Sequence, residues 1–143
     1  MSAVVTLMDA ERFIGLEYVD GQFDCADLVV VVQRELFGRN LPAPASADRA
    51  RGVRGQARDL RAALATYVRP VDVPATGCAV LLWETTPHGA PPLNRRWHLG
   101  TVFMHLGQPW VLHCANESEG TRLQPLDAIT GSAMHFESFL AWR

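Results

Sequence analysis

The stretch that most constrains the fold runs from Gly21 to Gly38 and reads GQFDCADLVVVVQRELFG. Its pattern is a turn, a helix start at Asp24 and Cys25, about three turns of largely apolar helix, and a glycine stop at Gly38. Four consecutive valines also suit a strand, but Gln33, Arg34, Glu35 and Gly38 continue the helical pattern, so a helix is expected. Leu28, Val29, Val32 and Leu36 form its core face, and because Val30 and Val31 are apolar too, burial nearly all round is expected.

A thiol in the first turn of such a helix sits where unpaired backbone N–H groups and the helix dipole favour negative charge, which raises the thiolate fraction. Cys25 is therefore a candidate nucleophile, with an inert core cysteine as the alternative. Asp24 and Asp27 suit a helix N-terminus, yet their charge close to the sulfur disfavours the thiolate. A cysteine nucleophile needs a histidine base from elsewhere in the chain and a third polar group to hold it. Two downstream histidines are candidates, His98 in WHLGTV and His113 in VLHCA.

The rest of the chain bounds this reading. At 143 residues, one domain spanning 1–143 is expected. With 13 basic against 15 acidic side chains, nucleic acid is not the expected partner. No apolar run approaches the roughly 20 residues that span a bilayer, and the first residues show no secretory signal. Three cysteines, Cys25, Cys78 and Cys114, are too few and too scattered for a disulfide framework. Zinc is the rival use for Cys25, His98, His113 and Cys114, but no CxxC or HxxxH spacing is present, and adjacent strand residues point to opposite faces. No metal or other cofactor is expected.

In order, a short helix capped by Thr6 should end near Gly15, and a loop from Leu16 to Phe23 should lead into the cysteine helix. Leu41 to Pro44 reads as an extended linker, and residues 48–67 as a helix with Val53, Ala57, Leu60 and Leu64 on its seam and four arginines outside. Cys78 to Trp83 has strand character, and Glu84 to Arg96, rich in proline and glycine, reads as a surface loop. Trp97 to Leu106 and Trp110 to Ala115 should form a hairpin. If its turn centres on Leu106 and Gly107, His113 stands opposite Gly100, one same-face position from His98 and about 7 Å along the strand. A turn centred one residue later moves His113 opposite Val102, about 13 Å away. The tail is read as one or two closing strands around a loop at Gly131, with Phe136, Phe139 and Trp142 on the sheet.

Four blocks in order, IGLEYVDGQFDC from Ile14, GRNLP from Gly38, HLG from His98 and LH at Leu112, resemble the NlpC/P60 cysteine peptidases, most closely the short versions found in phage tail proteins. The resemblance implies an α+β, papain-like fold in which N-terminal helices, the nucleophile helix among them, are packed on an antiparallel sheet. It also implies hydrolysis of amide bonds in peptidoglycan stem peptides. Carried over by position, Cys25 is the nucleophile, His98 the base, His113 the residue that orients it, and Tyr18 lines the site near the oxyanion. Implied partners are wall stem peptides and phage tail-tip proteins. The implied location is the bacterial cell wall, reached from the cytoplasm as a phage or prophage tail component. A non-catalytic tail-tip assembly protein that keeps the fold is the alternative. The chain departs from the family pattern at Ala26-Asp27 after the cysteine and in having no aspartate after Gly77.

Overall fold

A computed structural model of the chain describes residues 4–17, 25–41, 62, 64–85, 95–116, 119–131 and 134–143. The expected linker at Pro42 to Pro44, nearly all of the arginine-lined helix, Tyr18 and Asp24 lie outside the described residues, while 62 and 64–67 are helical.

Among the described residues the chain is α+β, with six antiparallel strands in one sheet and a few helices. Helix α1 (Leu7–Ala10) continues into a 3-10 turn, Glu11–Phe13, and its start is fixed by the Thr6 backbone N–H, which donates to Asp9 Oδ2 at 2.8 Å. Helix α2 (Cys25–Phe37) begins at the candidate nucleophile and stops where Gly38 turns to a φ of 66°, a left-handed conformation that glycine adopts without a Cβ clash. The strands are β1 (Val68–Val71), β2 (Ala79–Thr85), β3 (Arg95–His105), β4 (Gln108–Asn116), β5 (Gly120–Pro125) and β6 (Met134–Trp142), with a short helix α3 (Leu126–Thr130) between the last two. Their spatial order is β1-β6-β2-β3-β4-β5, so the last strand enters between the first two.

Both faces of the sheet are covered, and side-chain alternation sorts residues between them. One face carries α1 and α2. There Leu28 and Val32 pack with Ala10, Phe13, Phe103, Leu112 and Cys114, and Val29 packs with Val68, Ala79, Leu81, Leu99 and Leu140. On the far face Leu126 and Ile129 of α3 close over Cys78, Val80, Leu82, Val102 and Val111. Helix α2 is less enclosed than its apolar run suggests: Val30 and Val31 are only half-buried and Arg34 and Glu35 are exposed.

Its orientation is set by a polar residue. Gln33 is fully buried, donates from Nε2 to the Gly77 carbonyl at 3.0 Å, and accepts from Arg39 Nη1 at 2.6 Å. Trp142 Nε1 donates to the same carbonyl at 2.9 Å, so helix, β2 approach and last strand meet at one oxygen. A buried amide with every group paired fixes a register that apolar contacts alone leave loose.

The β3–β4 turn is the first of the two registers considered above. Leu106 and Gly107 occupy it with φ of 51° and 76°, and His105 pairs with Gln108. The ladder runs to Thr101↔Leu112 and ends there, whereas β3 stays paired to β2 as far as Thr85↔Arg95. The strands thus extend at both ends into what proline content marked as loop, because Glu84 and Arg96 pair across β2 and β3.

Candidate functional site

Cys25 is the first residue of α2 and is half-buried. It borders both clusters on the helix-bearing face, the one containing Phe103, Leu112 and Cys114 and the one containing Leu99 and Leu81. The helix head therefore packs on the face of the sheet that carries Leu99, Phe103, Leu112 and Cys114. Asp27, two residues on, is buried in the same first turn.

His98 also belongs to the beginning of β3, but to the other face. It pairs directly with Leu82, a far-face residue, and its neighbours Trp97 and Leu99 are the ones that pack under α2. Its Nε2 lies 3.5 Å from Glu84 Oε1, an ion-pair distance when the ring is protonated. The nitrogen is buried without a hydrogen-bond partner among the described residues, so this contact is electrostatic rather than an aligned hydrogen bond. The same carboxylate oxygen is 3.4 Å from Arg96 Nη1. The His98 ring, ahead of the other groups around it, holds the Glu84 carboxyl below the ordinary carboxylate range, against the opposing effect of burial.

His113 stands where the hairpin register predicts. A Cβ placed on Gly100 would lie 3.4 Å from the His113 Cβ, so the two residues face each other across β3 and β4. His113 and His98 accordingly share the far face, one position apart. His113 is 3 % exposed, and its Nε2 is 2.9 Å from Gln124 Oε1, which requires the proton on Nε2. Burial pushes its imidazole below the ordinary histidine range, partly opposed by Gln124, with His98 as a further depressing neighbour. Nδ1 is left as a buried acceptor without a partner among the described residues.

The structure thus sets His98 and His113 on one face of the sheet with Glu84 and Gln124 beside them, and packs Cys25 against the clusters of the other face. Position in the sequence made Glu84 look like loop, yet alternation along β2 would have set it beside His98 had the strand been read one residue longer. Gln124 was hidden in the closing strand, whose register with β4 (His113↔Arg122, Val111↔Gln124) puts it diagonally next to His113 on the same face.

Among the described residues no group of three or more His, Cys, Asp or Glu side chains is placed to hold a metal ion. His113 and Cys114 point to opposite faces, Cys114 into the α2 core. His105 is exposed near the hairpin tip, 6.3 Å edge-on from the Trp110 ring, and His135 is exposed and stacked on Trp83 at 4.2 Å. No helix is long and apolar enough to cross a membrane among the described residues. No protein-family model, no curated protein and no solved structure matches the chain.

Proposed function

We propose that the chain is a structural module with the NlpC/P60 layout, of the kind built into phage tail tips that meet the bacterial cell wall. In this reading Cys25, His98 and His113 persist without forming a catalytic centre. The observation that carries it is that the helix bearing Cys25 packs on the Leu99 and Phe103 face while His98 and His113 occupy the opposite one. A thiolate–imidazolium pair needs hydrogen-bond contact between the two groups, and a strand residue changes face only by a one-residue slip or a bulge. The continuous β2–β3 ladder from Ala79↔Thr101 to Thr85↔Arg95 opposes such a slip. The papain-like arrangement implied by the resemblance is part of the same proposal, as are tail-tip partners and a place at the wall.

A second reading, the cysteine peptidase acting on peptidoglycan stem peptides, is favoured by a different observation. His98 Nε2 and His113 Nδ1 are both buried without a hydrogen-bond partner among the described residues, a costly state that reactive sites tolerate and ordinary cores avoid. In that reading Cys25 attacks the scissile carbonyl, His98 passes the thiol proton to the leaving amine, and water hydrolyses the acyl-enzyme. His113 would accept from the second nitrogen of His98, and Tyr18 would line the site. The β3–β4 ladder, which ends at Thr101↔Leu112, leaves the start of β3 unstitched on that side.

Digestion of purified murein and muropeptides by wild type and Cys25→Ala, with new amino termini identified by mass spectrometry, separates the two. Identical products from both proteins are expected. New termini made only by wild type would replace the structural reading with the peptidase.

A further inference from the structure

The far face of the sheet buries two histidines that the structural reading leaves idle, and their surroundings differ. His98 Nε2 lies 3.5 Å from Glu84 Oε1, so a proton on that ring meets a carboxylate. His113 is held by an amide instead: its Nε2 is 2.9 Å from Gln124 Oε1, and its Nδ1 is buried without a hydrogen-bond partner among the described residues. The charged groups around His113 come from several elements. Arg122 of β5 is its direct cross-strand neighbour and lies 3.7 Å from Glu119, which precedes that strand. His98 stands on β3 next to Glu84 of β2, and α3 contributes only Asp127, which is exposed. Burial is the largest influence on the His113 ring and disfavours its charged form; Gln124 and Glu119 favour that form, while His98 and Arg122 oppose it. A proton at Nδ1 makes a buried cation with an unaccepted donor, a cost relieved when the ring moves to water.

The fold decides what moves with it. Gln124 is the last residue but one of β5, and Pro125 then leads into α3 without a side-chain cap. Helix α3 meets the sheet through Leu126 and Ile129, over Val80, Val102 and Val111. Val111 is the next same-face residue to His113 on β4 and pairs directly with Gln124, so the ring, the amide and the seat of α3 adjoin. β5 is the outermost strand. Its free edge is gripped at Thr121, whose carbonyl accepts from the Gly15 N–H at 3.0 Å and whose N–H donates to the Leu16 carbonyl at 2.8 Å. Among the described residues no such backbone bond grips that edge between Thr121 and α3.

We propose that His113 triggers an acid-driven opening in which residues 123–130, the end of β5 and α3, lift from the far face and uncover Val80, Val102 and Val111, while His98 stays seated on Glu84. The opening takes up one proton on His113 and breaks its bond to Gln124. It also unzips the Leu112↔Leu123, Val111↔Gln124 and Trp110↔Pro125 pairs, the last of which has no proline N–H to lose. Thr121 stays in place as the hinge side of the strand. The fold thereby presents in acid an apolar surface that it covers at neutral pH.

The test is amide hydrogen exchange of the wild-type chain from about pH 7.5 to about pH 5, across the ordinary histidine range, with rates corrected for the intrinsic pH dependence of exchange. Protection of residues 123–130 should fall about tenfold per pH unit once His113 takes up its proton, and should stay below that of residues 29–37 of α2 throughout. His113→Gln, which keeps a neutral partner for Gln124, and Gln124→Glu, which gives the ring a carboxylate, should each flatten the profile. The ring resonances of His113 in wild type should titrate over the same pH window, so the assignment stays testable if the variants fail to fold. Protection of 123–130 that is independent of pH, or equal to that of α2 at about pH 5, overturns the proposal. So does a fall that persists in both variants, or a His113 titration outside the window of the opening. Murein digestion has no bearing on the outcome, so the acid opening and the structural reading stand or fall separately.

Discussion

Gly77 shows how much one residue decides. Its φ is 95°, its carbonyl accepts from Gln33 and Trp142, and a Cβ there would lie 2.8 Å from the Phe37 ring. Gly77→Ala combines a left-handed backbone with a clash against the last turn of α2. A loss of about 2 kcal/mol is expected, read as a lower urea midpoint at unchanged slope. His113 makes a second prediction. Burial holds its folded-state pKa below the unfolded value of about 6.5, so between the two the unfolded chain binds more protons. The associated stability is therefore complete above pH about 6.5 and is lost as pH falls through the folded-state value. Glu84, whose pKa is also lowered, adds a further loss at more acid pH, present above its unfolded value and gone once the folded-state value is passed. Urea midpoints measured from pH 7.5 downward should fall for wild type, and His113→Gln should remove the part of the fall that begins near 6.5. Midpoints independent of pH across that window would mean that His113 is not buried neutral.

At the scale of elements, the β3–β4 hairpin was the best-determined feature of the sequence. Gly107 marks the turn and the flanking strands alternate, so the register that puts His113 opposite Gly100 could be read in advance as one of two choices. Leu106 was a poor guide, since a leucine 89 % exposed at a φ of 51° serves neither burial nor backbone preference. Leu106→Gly should raise stability by about 1 kcal/mol, seen as a higher denaturation midpoint. Unchanged or lower stability would mean the turn gains more from leucine than the fold suggests. Other elements were illegible for physical reasons. Helix α3 has only five residues, too few for a helical period to show. The insertion of β6 between β1 and β2 is a long-range pairing that no local pattern encodes. Glu84 and Arg96 looked like loop because the intervening prolines and glycines outweighed two strand ends.

For the whole molecule, the decisive ambiguity was which face of the sheet α2 would cover. Leu99 and Phe103 on one side of β3 and Val102 and Met104 on the other are equally apolar, so alternation fixed which residues share a face but not which face meets the cysteine helix. The sequence therefore identified two histidines on one face of the sheet and a cysteine at a helix head, without revealing that the helix packs on the other face. Among the described residues both faces of the sheet carry helices, α1 and α2 on one side and α3 on the other. Val4, Met8 and Ile14 are at least half exposed within one short N-terminal stretch. The most direct measurement compares the rate of Cys25 alkylation across pH in folded Cys78→Ala/Cys114→Ala and in the same background with His98→Gln. If the sheet separates sulfur from imidazole, the two profiles superimpose; a loss of reactivity near neutral pH in the His98→Gln protein would show that the groups meet and would contradict the account.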